Sequence, residues 1–497
     1  LRKNRSAALT AASFLLLTGA GVAAAPAALA GTPGSTHAND RNSDYNGDGH
    51  EDLLVGAPGA TVEGHEGAGL VTVQYGSSRG IGTTRVARLS EASTGGDGTP
   101  EAGDGFGTTV ASGDLNSDGY DDAVIAAPGE DVDGQRDAGR VTIFWGTKQG
   151  LRPGLSDWIE AEEPRAGERF GTGVAAARFS GATEGDVLAI TDRDELDTYT
   201  YGDQPHIPAD RPFLRQSSQR LTGAAGARAA ARRVVLPKSL TTGDYDDNGF
   251  ADLVVSGVTA GGEPGHGWST YYSGHAEGLT KERELRGGPV AATGDIDGDG
   301  FDDLVTGEPD SPDDGGETLT GGLVGVRYGS ANGPSPTVKW WTQGTAGVPG
   351  IVEKGDRWGA DLSVDDTNRD GYADVAIGAP GEDVGAVRDA GAVWVLRGTR
   401  GGLTARGVAS WTQNTDGVPG FAEKGDRWGA QVRLADPNRD GRFDLIASAP
   451  GENAGDGVAW FLPGTRGGVT AAGSWTFGVK TLGVPVSGAA FGTAVDE

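Results

Sequence analysis

The sequence predicts an all-β fold, a β-propeller of seven four-stranded blades. Three observations carry this. The 497 residues include 88 glycines and 24 prolines, a content that long helices do not tolerate and that suits short strands joined by turns. A short acidic loop recurs and each time runs into an apolar segment, with copies starting at residues 44, 114, 178, 244, 295, 366 and 436. The mean step is about 65 residues, longer than the usual solenoid unit and suited to one blade with generous loops.

Each unit is read in chain order. An aromatic-glycine pair stands first, eight residues ahead of its loop, at Phe106-Gly107, Phe170-Gly171, Trp358-Gly359 and Trp428-Gly429. The acidic loop follows. An apolar run then ends in Gly56-Ala57-Pro58, Ala126-Ala127-Pro128, Gly307-Glu308-Pro309, Gly378-Ala379-Pro380 or Ser448-Ala449-Pro450. Next comes a β-rich run closed by a turn glycine: 71–76, 141–146, 324–329 and 393–398. Alternation at period two in these runs predicts strands with one buried face. A fourth strand and a long link complete the unit. The segments starting at Trp341 and Trp411 lead this way into Trp358 and Trp428. The unit is therefore strand, acidic loop, strand, turn, strand, turn, strand.

The pattern is weakest over residues 178–290. The third loop, Arg178 to Asp186, keeps only a final acid before Val187, and the fourth and fifth units lack a clear aromatic-glycine pair. The basic, alanine-rich stretch Arg211–Arg233 reads as an insertion or a degraded strand. The first loop has no aromatic-glycine strand before it, whereas Phe491-Gly492 has no loop after it. The two terminal segments are thus expected to be halves of one blade, with residues 491–497 supplying the strand that Asp44–Pro58 lacks. Such pairing removes an open sheet edge and holds the ring shut.

The loops carry hard oxygen donors at fixed places. Positions 1, 3 and 5 can converge when the loop folds back, glycine at position 6 permits the sharp turn, position 7 offers its backbone carbonyl, and an aspartate at position 9 closes the set. In chain order the expected ligands are Asp44, Asn46, Asp48, His50 and Asp52; Asp114, Asn116, Asp118, Tyr120 and Asp122; Asp244, Asp246, Asn248, Phe250 and Asp252; Asp295, Asp297, Asp299, Phe301 and Asp303; Asp366, Asn368, Asp370, Tyr372 and Asp374; Asp436, Asn438, Asp440, Arg442 and Asp444. This density of oxygen favours Ca²⁺ over Mg²⁺, which keeps its water shell, and predicts about six Ca²⁺ sites. An EF-hand needs an acid at position 12 and then a helix; here position 12 is Val55, Ile125, Val255, Thr306, Ile377 or Ala447 and a β-rich segment follows.

Together these loops, the aromatic-glycine pairs and the Gly-Ala-Pro elements resemble the FG-GAP repeat of integrin α-subunit propellers. That repeat also occurs in many bacterial extracellular proteins and beside the catalytic domain of glycosylphosphatidylinositol-specific phospholipase D. Gly56-Ala57-Pro58 and Gly378-Ala379-Pro380 match the second half of the motif in full, and the resemblance covers roughly residues 44–497. It implies that partners meet the face opposite the calcium loops. Here that face would carry the links 343–357 and 413–427 with the loops 129–138 and 381–390.

The formal net charge of −29 argues against nucleic acid and anionic membrane surfaces as partners. With no cysteine there is no disulfide and no thiol nucleophile. Residues 1–30 read as a signal peptide. Arg2, Lys3 and Arg5 precede an apolar run from Ala7 to Leu29, and Ala28-Leu29-Ala30 suits a peptidase. Residues 31–43 would be a linker and 44–497 the propeller, secreted, extracellular and monomeric. No later stretch is long and apolar enough to span a bilayer. The six histidines, His37, His50, His65, His206, His266 and His275, fall in no catalytic motif. Lys354-Gly355-Asp356 and Lys424-Gly425-Asp426 look like integrin-recognised tripeptides but share one repeat position, where a turn is required. The reading is a binding or adhesion module for an extracellular protein or glycan. The alternative is a secreted hydrolase with its site at the channel mouth.

Overall fold

A computed structural model describes residues 43–95, 98–181, 184–202, 212–221, 235–259, 266–310, 321–483 and 488–496. Seven antiparallel sheets of four strands form the blades. Blade 2 shows the plan. Its inner strand Thr109–Gly113 is followed by Asp122–Ala127, Arg140–Phe144 and the outer strand Ser156–Glu160, each paired with the one before. Blades 3 to 7 repeat this from the inner strands Gly173–Ala177, Val235–Gly243, Val290–Gly294, Asp361–Asp365 and Val432–Ala435. Inner strands neighbour one another around the ring and line a central cavity of about 560 Å³.

The second strand of a blade is the most deeply buried. Every residue of Leu53–Ala57, Asp122–Ala127 and Asp374–Ala379 is buried. A neighbouring blade covers each face, so these segments read as continuous apolar runs. Each pair of adjacent blades shares one apolar cluster, including blades 7 and 1. The aromatic residues of the predicted pairs sit in these clusters: Phe106, Phe170, Trp358 and Trp428 are all buried. The glycines answer a close approach of backbones. A Cβ on Gly56 would stand 2.1 Å from the Gly107 carbonyl oxygen, and one on Gly378 would stand 2.0 Å from that of Gly429.

Ring closure follows the expected scheme. The strand Ala494–Val495 pairs antiparallel with Leu53–Ala57 and completes blade 1, with Val55 opposite Val495 and Gly56 opposite Ala494. Phe491 lies in the cluster between blades 7 and 1.

The stretch Arg211–Arg233 needs correction in part. Phe213–Arg220 is an outer strand, paired with Glu195–Tyr201 across a register shift at Thr198 and Tyr199, and it completes blade 3. Its exposed, charged side chains suit an edge that must not recruit another chain, which is why it lacks a strand-like apolar pattern. Residues 211 and 222–233 of that stretch and the expected signal peptide lie outside the described residues. No helix among the described residues is long and apolar enough to cross a membrane.

Candidate metal centre

Each acidic loop leads into the second strand of its blade, and in every blade but the first it comes directly from the inner strand, so all the loops open on one face of the ring. The backbone folds back through two left-handed residues. Position 6 is always glycine, as expected. Position 4 is also left-handed, and there it is Gly47, Ser117, Asp247, Gly298, Arg369 or Arg439. Non-glycine residues resist this conformation, and the loop holds them in it by its own hydrogen bonds. The Oδ2 atom of position 1 accepts the N–H of the position 6 glycine at 2.7–3.0 Å in all six loops. The position 5 side chain accepts the N–H of position 7 at 2.8–3.2 Å.

The aspartate at position 9 has a second task. Its Oδ1 accepts the N–H of the turn glycine that ends the third strand, at 2.7–3.0 Å. These are Gly76, Gly146, Gly274, Gly329, Gly398 and Gly464. Each is glycine because a Cβ there would stand 2.0–2.5 Å from the position 8 carbonyl oxygen. One carboxylate oxygen thus fixes the blade and the other faces the loop.

Carboxylates converge where position 3 is aspartate. Ligand atoms of Asp244, Asp246 and Asp252 lie within 4.8 Å of one another, as do those of Asp295, Asp297 and Asp303. The buried Asp297 Oδ1 has no hydrogen-bond partner. An orphaned anionic oxygen beside two more carboxylates is what a hard cation satisfies. In the other loops position 3 is asparagine. Asn46 Nδ2 donates to Asp52 Oδ2 at 3.1 Å and Asn438 Nδ2 to Asp444 Oδ2 at 3.2 Å; turning either amide over would present its oxygen instead. Positions 1, 3 and 9 form the interior of the site, while position 5 (Asp48, Asp118, Asn248, Asp299, Asp370 and Asp440) stands exposed at the rim.

Burial pushes the interior carboxyls up from 3.8. Asp303 reaches about 8, Asp252 and Asp444 about 7, and Asp244, Asp297 and Asp436 about 6. Asp52 and Asp122 are also raised, again chiefly by burial. Backbone N–H donors to the other carboxylate oxygen oppose the shift, and neighbouring loop carboxylates add to it. Asp374 is likewise raised to about 6 by burial but differs in its partners. Its Oδ2 is taken by Arg397 at 2.6 Å and by the Thr367 hydroxyl, so a guanidinium already sits beside the sixth loop.

Position 7 side chains are half-buried rather than free. The rings of Tyr120 and Tyr372 lie over Gly47 and Gly298 of the preceding loop, and His50 Nδ1 is 3.1 Å from the Pro437 carbonyl oxygen. Position 8, which sequence reading passed over, ties loop to loop. Asp121, Asp302 and Glu51 accept the backbone N–H of Asp44, Asp244 and Asp436 at 2.6–2.9 Å. Asp186 accepts that of Asp114 at 3.1 Å and so belongs to position 8, since Val187 faces Ala177 where the other loops place position 9. Its acid was never a metal-closing residue. The two Lys-Gly-Asp tripeptides are turns, as expected: Asp356 and Asp426 are buried and accept the N–H of Glu353 and Glu423 at 2.6 Å.

A family model described as the FG-GAP repeat matches residues 42–73, 106–144, 287–320 and 358–396. The chain is 36% identical over 109 residues to human phosphatidylinositol-glycan-specific phospholipase D, covering 22% of this chain and 13% of that protein. It is 34% identical over 150 residues to integrin alpha-4 of Xenopus laevis, covering 30% and 12%. It is 36% identical over 138 residues to integrin alpha-IIb of Mus musculus, covering 27% and 12%. The chain therefore spans a small part of the length of these relatives. With the seven blades, these matches make the chain an integrin-α-like FG-GAP β-propeller.

Proposed function

We propose that this chain is an extracellular binding module, monomeric, with Ca²⁺ in its acidic loops and a protein or glycan partner on the opposite face. Bound there, Ca²⁺ supplies the positive charge that the loop carboxylates lack. Asp244, Asp246 and Asp252, and likewise Asp295, Asp297 and Asp303, would hold it. The first, second and seventh loops would use their position 1, 3 and 9 side chains, and in the sixth Asp374 would have to exchange Arg397 for the ion. Position 5 and the position 7 carbonyl would complete each shell from the rim. Residues 1–30 enter the proposal as an export signal cleaved before Gly31, residues 31–43 as a linker and 44–497 as the propeller.

One observation carries the binding reading. Ile351 is 76% exposed and Phe421 81%, the most exposed large apolar side chains among the described residues. They occupy equivalent places in the links 343–357 and 413–427. Because the strands alternate in direction, links that leave the fourth strand stand on the face away from the acidic loops. Exposed apolar side chains repeated on one face mark a surface that meets a partner. The relatives named as integrins and as a phospholipase accord with an extracellular setting. Carboxylates in the central channel are bonded instead: Asp361 Oδ2 accepts the Val432 N–H at 2.6 Å, and Asp310 pairs with Arg357 at 2.8 Å.

The test is a protein and glycan array probed with and without Ca²⁺, then repeated with the double variant Ile351→Ser, Phe421→Ser. Loss of the captured ligand in the variant, with an unchanged melting curve, is expected. Undiminished capture by a folded double variant would place the partner elsewhere. N-terminal sequencing of exported protein checks the cleavage; an intact Arg2 would refute it.

A further inference from the structure

A third acidic cluster lies on the other face of the ring, between blades 1 and 2. Glu91 follows the fourth strand of blade 1, Asp104 lies in the link to blade 2, and Glu130 follows the second strand of blade 2. Their ligand atoms lie within 4.8 Å of one another, the spread of oxygens around one Ca²⁺ ion bound at about 2.4 Å. Glu91 is 2% exposed, and no N–H or hydroxyl donor reaches either of its carboxylate oxygens or Glu130 Oε2; the groups beside it are the carboxyls of Asp104 and Glu130. Arg140 answers part of the charge, reaching Glu130 Oε1 at 2.7 Å and Glu160 Oε1 at 2.6 Å; it also acts on Glu91, but burial and the adjacent acids outweigh it there.

The repeat supplies an internal control. The same corner recurs between blades 5 and 6 and between blades 6 and 7. Asp356 and Asp426 match Asp104, each accepting an N–H from three residues earlier. Their carbonyls, like that of Asp104, accept the N–H of the glycine before the glutamate, Gly129, Gly381 or Gly451. Where blade 1 has Glu91, the other corners have buried glutamines. Gln343 Nε2 donates to Glu382 at 3.0 Å and Gln413 Nε2 to Glu452 at 2.9 Å. Glu91 replaces that donor with a third acid, and Arg140 stands at the strand position held by Ala392 and Val458 in the other two corners; with Glu160 also on Arg140, one guanidinium faces four carboxylates.

We propose that Glu91, Asp104 and Glu130 hold a Ca²⁺ ion that clamps blade 1 to blade 2 on the face away from the acidic loops. A burial this deep leaves little room for the water shell that Mg²⁺ retains. Burial and the adjacent acids hold the Glu91 and Glu130 carboxyls above the ordinary range, so either a proton or a cation must answer the third acid.

The experiment counts ions on the full chain. Protein stripped with EDTA is titrated with CaCl₂ in equilibrium dialysis, comparing wild type with Glu91→Gln, Asp104→Asn and Asp303→Asn. Glu91→Gln installs the side chain found at two other corners and is expected to fold, to bind one ion fewer and to melt in EDTA no lower than wild type. Asp104→Asn keeps an oxygen for the Glu101 N–H and is expected to lose the same ion. Asp303→Asn reports on the loops alone, so their failure to bind leaves the Glu91 comparison intact. Equal ion counts for wild type and both corner variants would overturn the proposal and assign the third acid to a shared proton.

Discussion

At the scale of the residue, Asp186 separates two jobs that an aspartate does in these loops. It stands in a loop without the other acids, yet it is buried and accepts the Asp114 N–H. Replacing Asp186 with Ala should leave the number of bound Ca²⁺ ions unchanged. It should also lower stability by about 1–3 kcal/mol, because a buried donor loses its acceptor. Chemical denaturation beside ion counting checks both halves, and a change in ion count would contradict the assignment to position 8. Asp303 illustrates the other job. Its folded value of about 8 lies far above the ordinary 3.8, and Asp252 and Asp444 follow at about 7. A carboxyl raised in this sense binds its proton more tightly in the folded state. Its contribution is full below about pH 4 and is lost as pH rises toward 7–8. In EDTA the melting temperature should therefore fall between pH 5 and pH 8, and added Ca²⁺ should raise it more at pH 8. A metal-free protein whose melting temperature rises over that interval would refute this account.

At the scale of the element, the acidic loop and its strand were legible because their signals are local and periodic. Aromatic, glycine and aspartate recur at fixed offsets, so six copies in phase specify the unit. The position 9 aspartate was legible as an acid but not as a strut. Its partner glycine stands 20–26 residues further on, and nothing local announces the pairing. The corner of Glu91, Asp104 and Glu130 was not legible at all, since three separate segments of two blades build it. Over Phe213–Arg220 the sequence allowed either an insertion or a degraded strand, because an outer strand lacks a second apolar neighbour to imprint a pattern. The glycines of the strands give the sharpest test at this scale. Gly378→Ala places a methyl group 2.0 Å from the Gly429 carbonyl oxygen. Blades 6 and 7 would have to separate locally, at a cost of about 1–3 kcal/mol or more. Gly401, which a Cβ would leave 3.7 Å from its nearest neighbour, the Thr399 hydroxyl, is the matched control and should tolerate alanine. Equal melting of the two variants would show that the close approach of the backbones is not required.

At the scale of the whole molecule, a ring of blades is only as strong as its last joint. The expected joint was a strand pairing, and the pairing exists, but it engages just Val495 and Ala494 with Val55 and Gly56. Two other contacts bear more of the closure. Phe491 is fully buried between blades 7 and 1, with its ring centroid 6.0 Å from that of Phe477 in an edge-on arrangement. Asp496 is fully buried too; it accepts the Leu54 N–H and the Tyr45 hydroxyl at 2.9 Å each and lies 3.8 Å from Arg433 of blade 7. Arg433 in turn pairs with Glu51, whose other oxygen takes the Asp436 N–H. One buried network therefore joins the first loop, the closing strand and the seventh blade. Phe491→Ala should cost about 3–5 kcal/mol, the usual range for emptying a buried aromatic site. Asp496→Ala should cost about 2–4 kcal/mol, because the buried Tyr45 hydroxyl and Leu54 N–H lose their acceptor and the buried Arg433 keeps only Glu51 as its counter-charge. Removing residues 491–497 loses both contacts and bares the edge of Leu53–Ala57, so it should melt below either single variant and aggregate through the opened strand. Ca²⁺ in the first loop should restore none of this, since the lost contacts lie outside the loop. A truncated protein that stays monomeric in size-exclusion chromatography and melts like the parent would mean that the apolar clusters between the other blades hold the ring without this joint.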